Sequence, residues 1–339
     1  MAINTAAFSP KQFQVFIAEQ DAFGTIEAAG GNAYHALDVD SIGMPSLNPT
    51  QVLDVRTGSR VLQKEDFFQD VKGSVKEISV SGTATTNALD MLLENIMGEA
   101  EGSASGVYSF ASNAGVQSVG KTDSSQAGTL LSVIISSPLS NSDLAFKDCV
   151  VTSLTLNGDV GTEGGRVKFS ATMQTGTLAE DLSDESISAD TAFAASENYF
   201  ISSWSDVDYR KMYGVNDLVL STFSLTLENP ASFSGLVSTG YEIVSRAGEF
   251  SATLDATAKY DANTEPLIAS FNNQTQQGAT AAQESLLNND GSLTDGAFGI
   301  LMAKSVLTNV AFNEGDVMML DISVKAVGDG SNALVEVAC

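Results

Sequence analysis

The sequence predicts a mainly β fold with a few short helices, arranged as two tandem antiparallel β domains of the sandwich or barrel type, each flanked by a helix. Three observations predict it. Segments in which apolar and polar residues alternate recur along the chain, the period of a half-buried strand. One strand pair occurs twice, about one domain length apart. The order strand, helix, loop, strand, hairpin also occurs twice.

The repeated pair is the clearest of these. Its later copy, Leu307 to Val327, reads LTNVAFN-EG-DVMMLDISVKAV; the earlier, Val151 to Gly176, reads VTSLTLN, five extra residues, then EG-GRVKFSATMQTG. From Glu163 against Glu314 the copies run fourteen positions without a gap. Thr152, Leu154 and Leu156 match Thr308, Val310 and Phe312, and Phe169, Ala171 and Met173 match Leu320, Ile322 and Val324. Between them stand Ser170, Thr172 and Gln174 in one copy and Asp321, Ser323 and Lys325 in the other, so one face is apolar and one polar. Asn313 to Asp316 suits a tight hairpin turn. A rival alignment sets SLTL at Ser153 and FSAT at Phe169 against SLTL at Ser224 and FSAT at Phe250, but the spacing changes from 16 to 26 and only the second FSAT precedes a helix. The order-preserving alignment makes each repeat one complete folding unit.

In chain order, residues 1 to 19 read as an arm with a short strand, in which Phe13, Val15 and Ile17 alternate. Tyr34 to Val39 reads as an edge strand and Gln51 to Val61 as a strand or extended arm. In Val71 to Thr85, Ile78, Val80, Gly82 and Ala84 share one face. A helix follows, capped by Thr86 or Asn87, with Leu89, Leu92, Leu93 and Ile96 at helical spacing and Gly98 at its end. Residues 99–128 are rich in Gly, Ser and Ala and read as a surface loop or small insertion. Thr129 to Ser136 is strand-like. The second half offers strands within Asp217 to Glu228 and Tyr241 to Tyr260, a helix at Asn263 to Phe271 with Pro266 in its first turn, a polar loop at Gly278 to Gly296, and Ala297 to Lys304 leading into the hairpin. The domains are therefore 1–178, with the arm and the insertion, and 199–339, joined by an acidic linker at 179–198.

Composition narrows the function. Sixteen basic residues against 42 acidic ones give a net charge of −26, which argues against wrapping nucleic acid from outside. The two cysteines, Cys149 and Cys339, indicate no disulfide framework, and Cys149 reads as a small buried hydrophobe. The N-terminus lacks a basic region and a long apolar run, so no signal peptide is expected, and no stretch has transmembrane length. A cytoplasm is the expected place of synthesis and assembly.

Catalysis has little to stand on, so no enzyme, cofactor or metal is expected. The single histidine, His35, has no partner in sequence for general base work. Walker, Rossmann and nucleophile-elbow patterns are missing. Residues 288–296, NNDGSLTDG, have a calcium-loop flavour, but Leu286 and Ala297 stand where Asp and Glu are needed, so the stretch reads as a turn. The acidic run Glu180 to Asp190 reads as a solvated linker, and Asn273-Gln274-Thr275 is a sequon by letters only. Trp204 with Tyr209 and Tyr213 reads as a core or interface anchor. A secreted surface-layer or adhesin-type β-sandwich is the alternative from another class, and a glycan hydrolase a third, for which acidity alone is no evidence.

Several stretches together resemble the tail tube proteins of long-tailed, siphovirus-type bacteriophages. Glu19 to Thr25 (EQDAFGT) resembles their E-x-x-[YF]-G-T. Gly73 to Gly98 resembles their strand with S-x-S-G followed by a Leu-rich helix. Phe146 to Gly176 resembles their hairpin, with Asp148 where a Gly is usual. Leu218 to Pro230, Gly248 to Phe271 and Ala303 to Val327 resemble the closing part. The resemblance implies a structural virion protein whose strands join an inter-subunit β-barrel, in rings stacked into a tube. The implied partners are other copies of the chain, tail terminator and tail-tip proteins, a tape measure protein in the lumen before ejection, and DNA that passes without specific binding. Two tube domains per chain favour a trimer ring with pseudo-six-fold symmetry, whereas one domain would make a hexamer. The expected channel-lining residues are Glu77, Ser79, Ser81, Thr83, Ser251, Thr253 and Asp255, with Ser170, Thr172, Gln174, Asp321 and Ser323 as the second choice. Lys325 would count against the face that carries it.

Overall fold

The computed structural model describes residues 9–27, 34–45, 50–53, 61, 67–70, 74–97, 106–112, 117–120, 130–138, 143–162, 165–177, 180–182, 189–190, 199–202, 206–237, 240–246, 248–272 and 282–339. A 3-10 turn at Pro10–Gln12 leads into β1 (Gln14–Gln20), β2 (Tyr34–Ala36), β3 (Val39–Gly43), β4 (Thr50–Leu53), β5 (Phe67–Asp70) and β6 (Lys76–Thr83). After α1 (Thr86–Met97) come β7 (Val107–Ala111), β8 (Gln117–Gly120), β9 (Leu130–Ser136), β10 (Asp143–Asp159) and β11 (Lys168–Thr175). β12 (Glu180–Leu182) and β13 (Ala189–Asp190) lie in the acidic link. The second half holds β14 (Tyr209–Lys211), β15 (Leu220–Glu228), β16 (Ser232–Val237), β17 (Gly240–Arg246), β18 (Ser251–Lys259), α2 (Glu265–Asn272), β19 (Gln283–Asn288), β20 (Gly299–Asn313), β21 (Met319–Ala326) and β22 (Ala333–Ala338).

Eight strands form one antiparallel sheet in the order β3-β6-β11-β10-β15-β18-β21-β20. The long strands β10 and β20 also enter further pairings through their N-terminal ends. The start of β10 lies between β9 and β12, and β9 continues to β1, β2 and β13. The start of β20 lies between β19 and β22, which continue to β14 and β7. The alternation read from the sequence decides which face is covered. On β18, Ala252, Leu254, Ala256 and Ala258 are buried while Asp255 and Lys259 are exposed. On β21, Leu320, Ile322, Val324 and Ala326 are buried. α1 adds Leu89, Leu92, Leu93 and Ile96 to the same core, each worth about 1.5–3 kcal/mol of burial.

The two halves repeat one pattern of pairings. β1·β9, β9·β10, β10·β11, β11·β6 and β6·β3 recur as β14·β19, β19·β20, β20·β21, β21·β18 and β18·β15. The irregularities recur too. A bulge lies between Val151 and Ser153 and another between Leu307 and Asn309; one lies between Val39 and Ser41 and another between Leu220 and Thr222. Thr152 Oγ1 donates to the Thr172 carbonyl at 3.2 Å, and Thr308 Oγ1 to the Ser323 carbonyl at 3.2 Å. The two SLTL stretches, by contrast, lie on β10 and β15, which pair with each other.

Four expectations need correction. Residues 99–128 are not simply a surface loop: β7 lies within them and pairs with β22, and Phe110 stacks on Phe250 with ring centroids 3.7 Å apart. Few large side chains are present there: Phe110 is spent on the second half, while the Tyr108 hydroxyl donates to Asp90 Oδ1 on α1 at 3.1 Å. The polar loop at 278–296 contains β19, where Leu286 and Leu287 are buried. β2 is not an edge strand, because it lies between β1 and β13. The acidic run is not wholly a solvated linker, since β12 and β13 pair with first-half strands. Gly98, Asn273 to Thr275 and Trp204 lie outside the described residues.

Candidate functional site

The polar side of the eight-stranded sheet is where the predicted residues meet. Register carries rows of them across it. Ser41, Ser81, Ser170, Thr155, Thr226, Thr253 and Lys325 follow one another from strand to strand. The next row runs Lys168, Asn157, Ser224, Asp255, Ser323 and Asn309. Ser79 is opposite Thr172, Glu77 opposite Gln174, and Ser251 opposite Glu228. The two alternative sets of channel residues are thus one surface. A period of two in each strand and in-register neighbours leave no other arrangement.

Hydroxyls dominate this surface and carboxylates supply most of its charge. Glu77 and Asp255 are exposed, as is Ser170, while Ser79, Ser81, Ser251, Thr253, Thr172, Gln174, Asp321 and Ser323 are partly exposed. Several are tied to neighbours. Gln174 Nε2 donates to Glu77 Oε2 at 3.2 Å, Ser251 Oγ to Glu228 Oε2 at 3.3 Å, and Thr257 Oγ1 to Asp321 Oδ1 at 2.8 Å. Asn313 Nδ2 reaches both Asp321 oxygens, at 3.1 and 3.2 Å. Thr83 is different: it is buried, and its Oγ1 accepts from Lys168 Nζ at 2.9 Å.

Lys325 does share the face, opposite Thr253, and Lys168 is a second cation there that the sequence reading passed over. Neither is unopposed. Lys168 Nζ is 2.9 Å from Asp40 Oδ2, and Lys325 Nζ is 3.4 Å from Glu249 Oε1. Ion-pairing offsets the charge of each lysine, so the rows keep an acidic and hydroxylic character.

Two buried polar links hold this sheet to the rest. Asp148 sits in the bulge of β10 with φ +53°, the left-handed region that favours glycine. Its Oδ1 accepts from Gln20 Nε2 and from Gly24 N, each at 2.7 Å. The second link is Arg246 at the end of β17. Its Nη1 donates to the Val151 and Asn229 carbonyls, and its Nη2 to the carbonyl and Oδ1 of Asn95, all at 2.9 Å. The guanidinium thereby satisfies a carbonyl in the last turn of α1, where the helix dipole favours a cation. Burial pulls its pKa down to about 10, so it stays charged at neutral pH. Sequence periodicity carries no mark of either link.

The residues weighed for chemistry stand apart from the polar face. His35 is on β2. In 288–296, Asn288 Oδ1 accepts from Gly291 N at 2.9 Å and Asp290 Oδ1 from Ser292 N at 3.1 Å, a turn closed by its own side chains. Tyr213 is buried, and Tyr209 partly so. Cys149 and Cys339 are free and buried. Among the described residues, no helix is long and apolar enough to cross a membrane.

No curated protein matches the chain. A family model described as phage tail tube protein matches residues 11–326.

Proposed function

The chain belongs to the phage tail tube protein family, and from that premise we propose that it stacks in rings into the tube of a siphovirus-type tail, through which DNA leaves the capsid. As a member of that family it is a structural protein of the virion, which replaces the adhesin-type alternative. The observation that carries the proposal is the polar face: hydroxyls and carboxylates follow one another across β6, β11, β10, β15, β18 and β21, and its two central lysines are ion-paired. A bore with this lining repels phosphate weakly.

The repeated pairings support two tube units per chain, 1–178 and 199–339, with β12 and β13 of the acidic link paired to strands of the first. Six such units in a ring make it a trimer of pseudo-six-fold symmetry. Tail terminator, tail-tip and tape measure proteins are the remaining partners in this reading. Electron microscopy of the purified protein tests it: hollow filaments or stacked rings are expected. A strictly monomeric particle over a wide concentration range would overturn it. Mass measurement of one ring then separates three copies from six.

A further inference from the structure

The pairing of β10 with β15 is the joint between the two repeats, and it specifies the joint to the next copy. In the repeated pattern β20 is the counterpart of β10, and β3 of β15. Among the described residues no strand pairs with the outer edge of β20 beyond Ser305 or with the outer edge of β3. We propose that the β20 edge of one copy pairs antiparallel with the β3 edge of the next, with Phe312 opposite Met44, Asn313 opposite Gly43 and Ala311 opposite Pro45. The inference rests on the tube reading and adds to it the contact surface and its register.

The register comes from the internal joint. There Leu156 is opposite Leu225, Asn157 opposite Ser224 and Thr155 opposite Thr226. Thr152 with Thr308 equates β10 and β20, and the two bulges equate Ser41 with Thr222, so Leu156 becomes Phe312 and Leu225 becomes Met44.

Three independent facts fit this register. Leu156 and Leu225 are each 0% exposed, whereas Phe312 is 55% and Met44 44% exposed, as side chains awaiting the same cover would be. Asn229 N donates to the Thr152 carbonyl at 2.9 Å and Val160 N to the Ser221 carbonyl at 3.1 Å, so hydrogen-bonded pairs alternate from that point and include Leu156/Leu225. Pro45, which has no N–H, then falls at a non-hydrogen-bonded pair, where none is needed on that edge. Finally, Ser9, Lys11 and Phe13 line a groove with Val39 to Ile42 of β3.

The test is cross-linking of the Met44→Cys, Phe312→Cys double variant after oxidation. A hydrogen-bonded antiparallel pair has Cα atoms about 5.5 Å apart, within disulfide range. Expected is a reducible ladder of chains from the double variant, dimers from a mixture of the two single variants, and neither from each single variant alone. The native cysteines stay silent, since both are buried and their thiol pKa values are pushed up by burial. Phe312→Lys is the companion: the monomer should keep its melting temperature, because the side chain is exposed, but assembly should fall at least tenfold. Filaments in micrographs without a 44–312 cross-link, or normal assembly of Phe312→Lys, would overturn this joint and leave the tube standing. Wild-type protein that never polymerises would overturn the tube itself.

Discussion

Gln20 and Asp148, 128 residues apart, hold each other twice: Gln20 Nε2 donates to Asp148 Oδ1 at 2.7 Å, and Asp148 N donates to Gln20 Oε1 at 2.9 Å. Two motifs that are separate in the sequence, Glu19 to Thr25 and the strand entering at Phe146, are therefore one buried contact. Asp148→Ala should lose about 2–4 kcal/mol, combining the lost hydrogen bonds with a residue that tolerates a positive φ less well than aspartate does. Asp148→Gly should lose about 1 kcal/mol less, because glycine accepts that backbone. Denaturant melts of both variants measure the difference. Equal losses would refute the backbone share.

Arg246 should resist conservative exchange. Arg246→Lys keeps the charge but cannot reach Val151, Asn229 and Asn95 together, so a loss of about 2–3 kcal/mol is expected. Arg246→Met leaves the same buried carbonyls bare and should cost about 3–5 kcal/mol. Thermal melts check the order; Met at or above Lys would sink the account.

Gly82 is required by close approach. A Cβ there would meet the Asp38 carbonyl oxygen at 1.8 Å, while Thr83 N donates to that same oxygen at 3.0 Å. Gly82→Ala should push β3 off β6 and destabilise the fold by roughly 2–4 kcal/mol. Faster hydrogen exchange at Val39 to Gly43 is the expected signature. Unchanged exchange there would mean that the backbone yields elsewhere.

Charge on the proposed bore is tested by Asp255→Lys. Asp255 is exposed in the middle of the polar rows, so the variant should fold and assemble normally yet slow DNA ejection several-fold, more so at low salt. Ejection assays at two salt concentrations read this directly. Unchanged ejection at both would place the residue away from DNA.

Asp329 sets an acid-side pH dependence. The N–H groups of Asn332 and Ser331 hold its carboxyl down to about 2, from an ordinary 3.8. A depressed carboxyl contributes stability above its unfolded pKa and loses it as pH falls through the folded one. The wild type should therefore lose stability between about pH 4 and 2 through this turn, and Asp329→Ala should show a shallower slope there. Identical slopes would show that the turn does not depend on the charge.

The sequence by itself determined the long alternating strands, the helix α1 and the two-sided character of the sheet, because alternation and helical spacing are local and decide which face goes inward. It also put Thr152 against Thr308, a match that the ladder reproduces with the same bulge and the same hydroxyl-to-carbonyl bond. It could not say that Ser79 and Thr172, or Asp255 and Ser323, are neighbours, and so it treated one surface as two. Nor did it reveal that Phe110, in a stretch poor in large side chains, stacks on Phe250 of the second half. Register, the Arg246 and Asp148 links, and the pairing of Lys168 and Lys325 with carboxylates come from contacts between distant strands. Such contacts leave no period in the chain, since each depends on which edges meet in three dimensions.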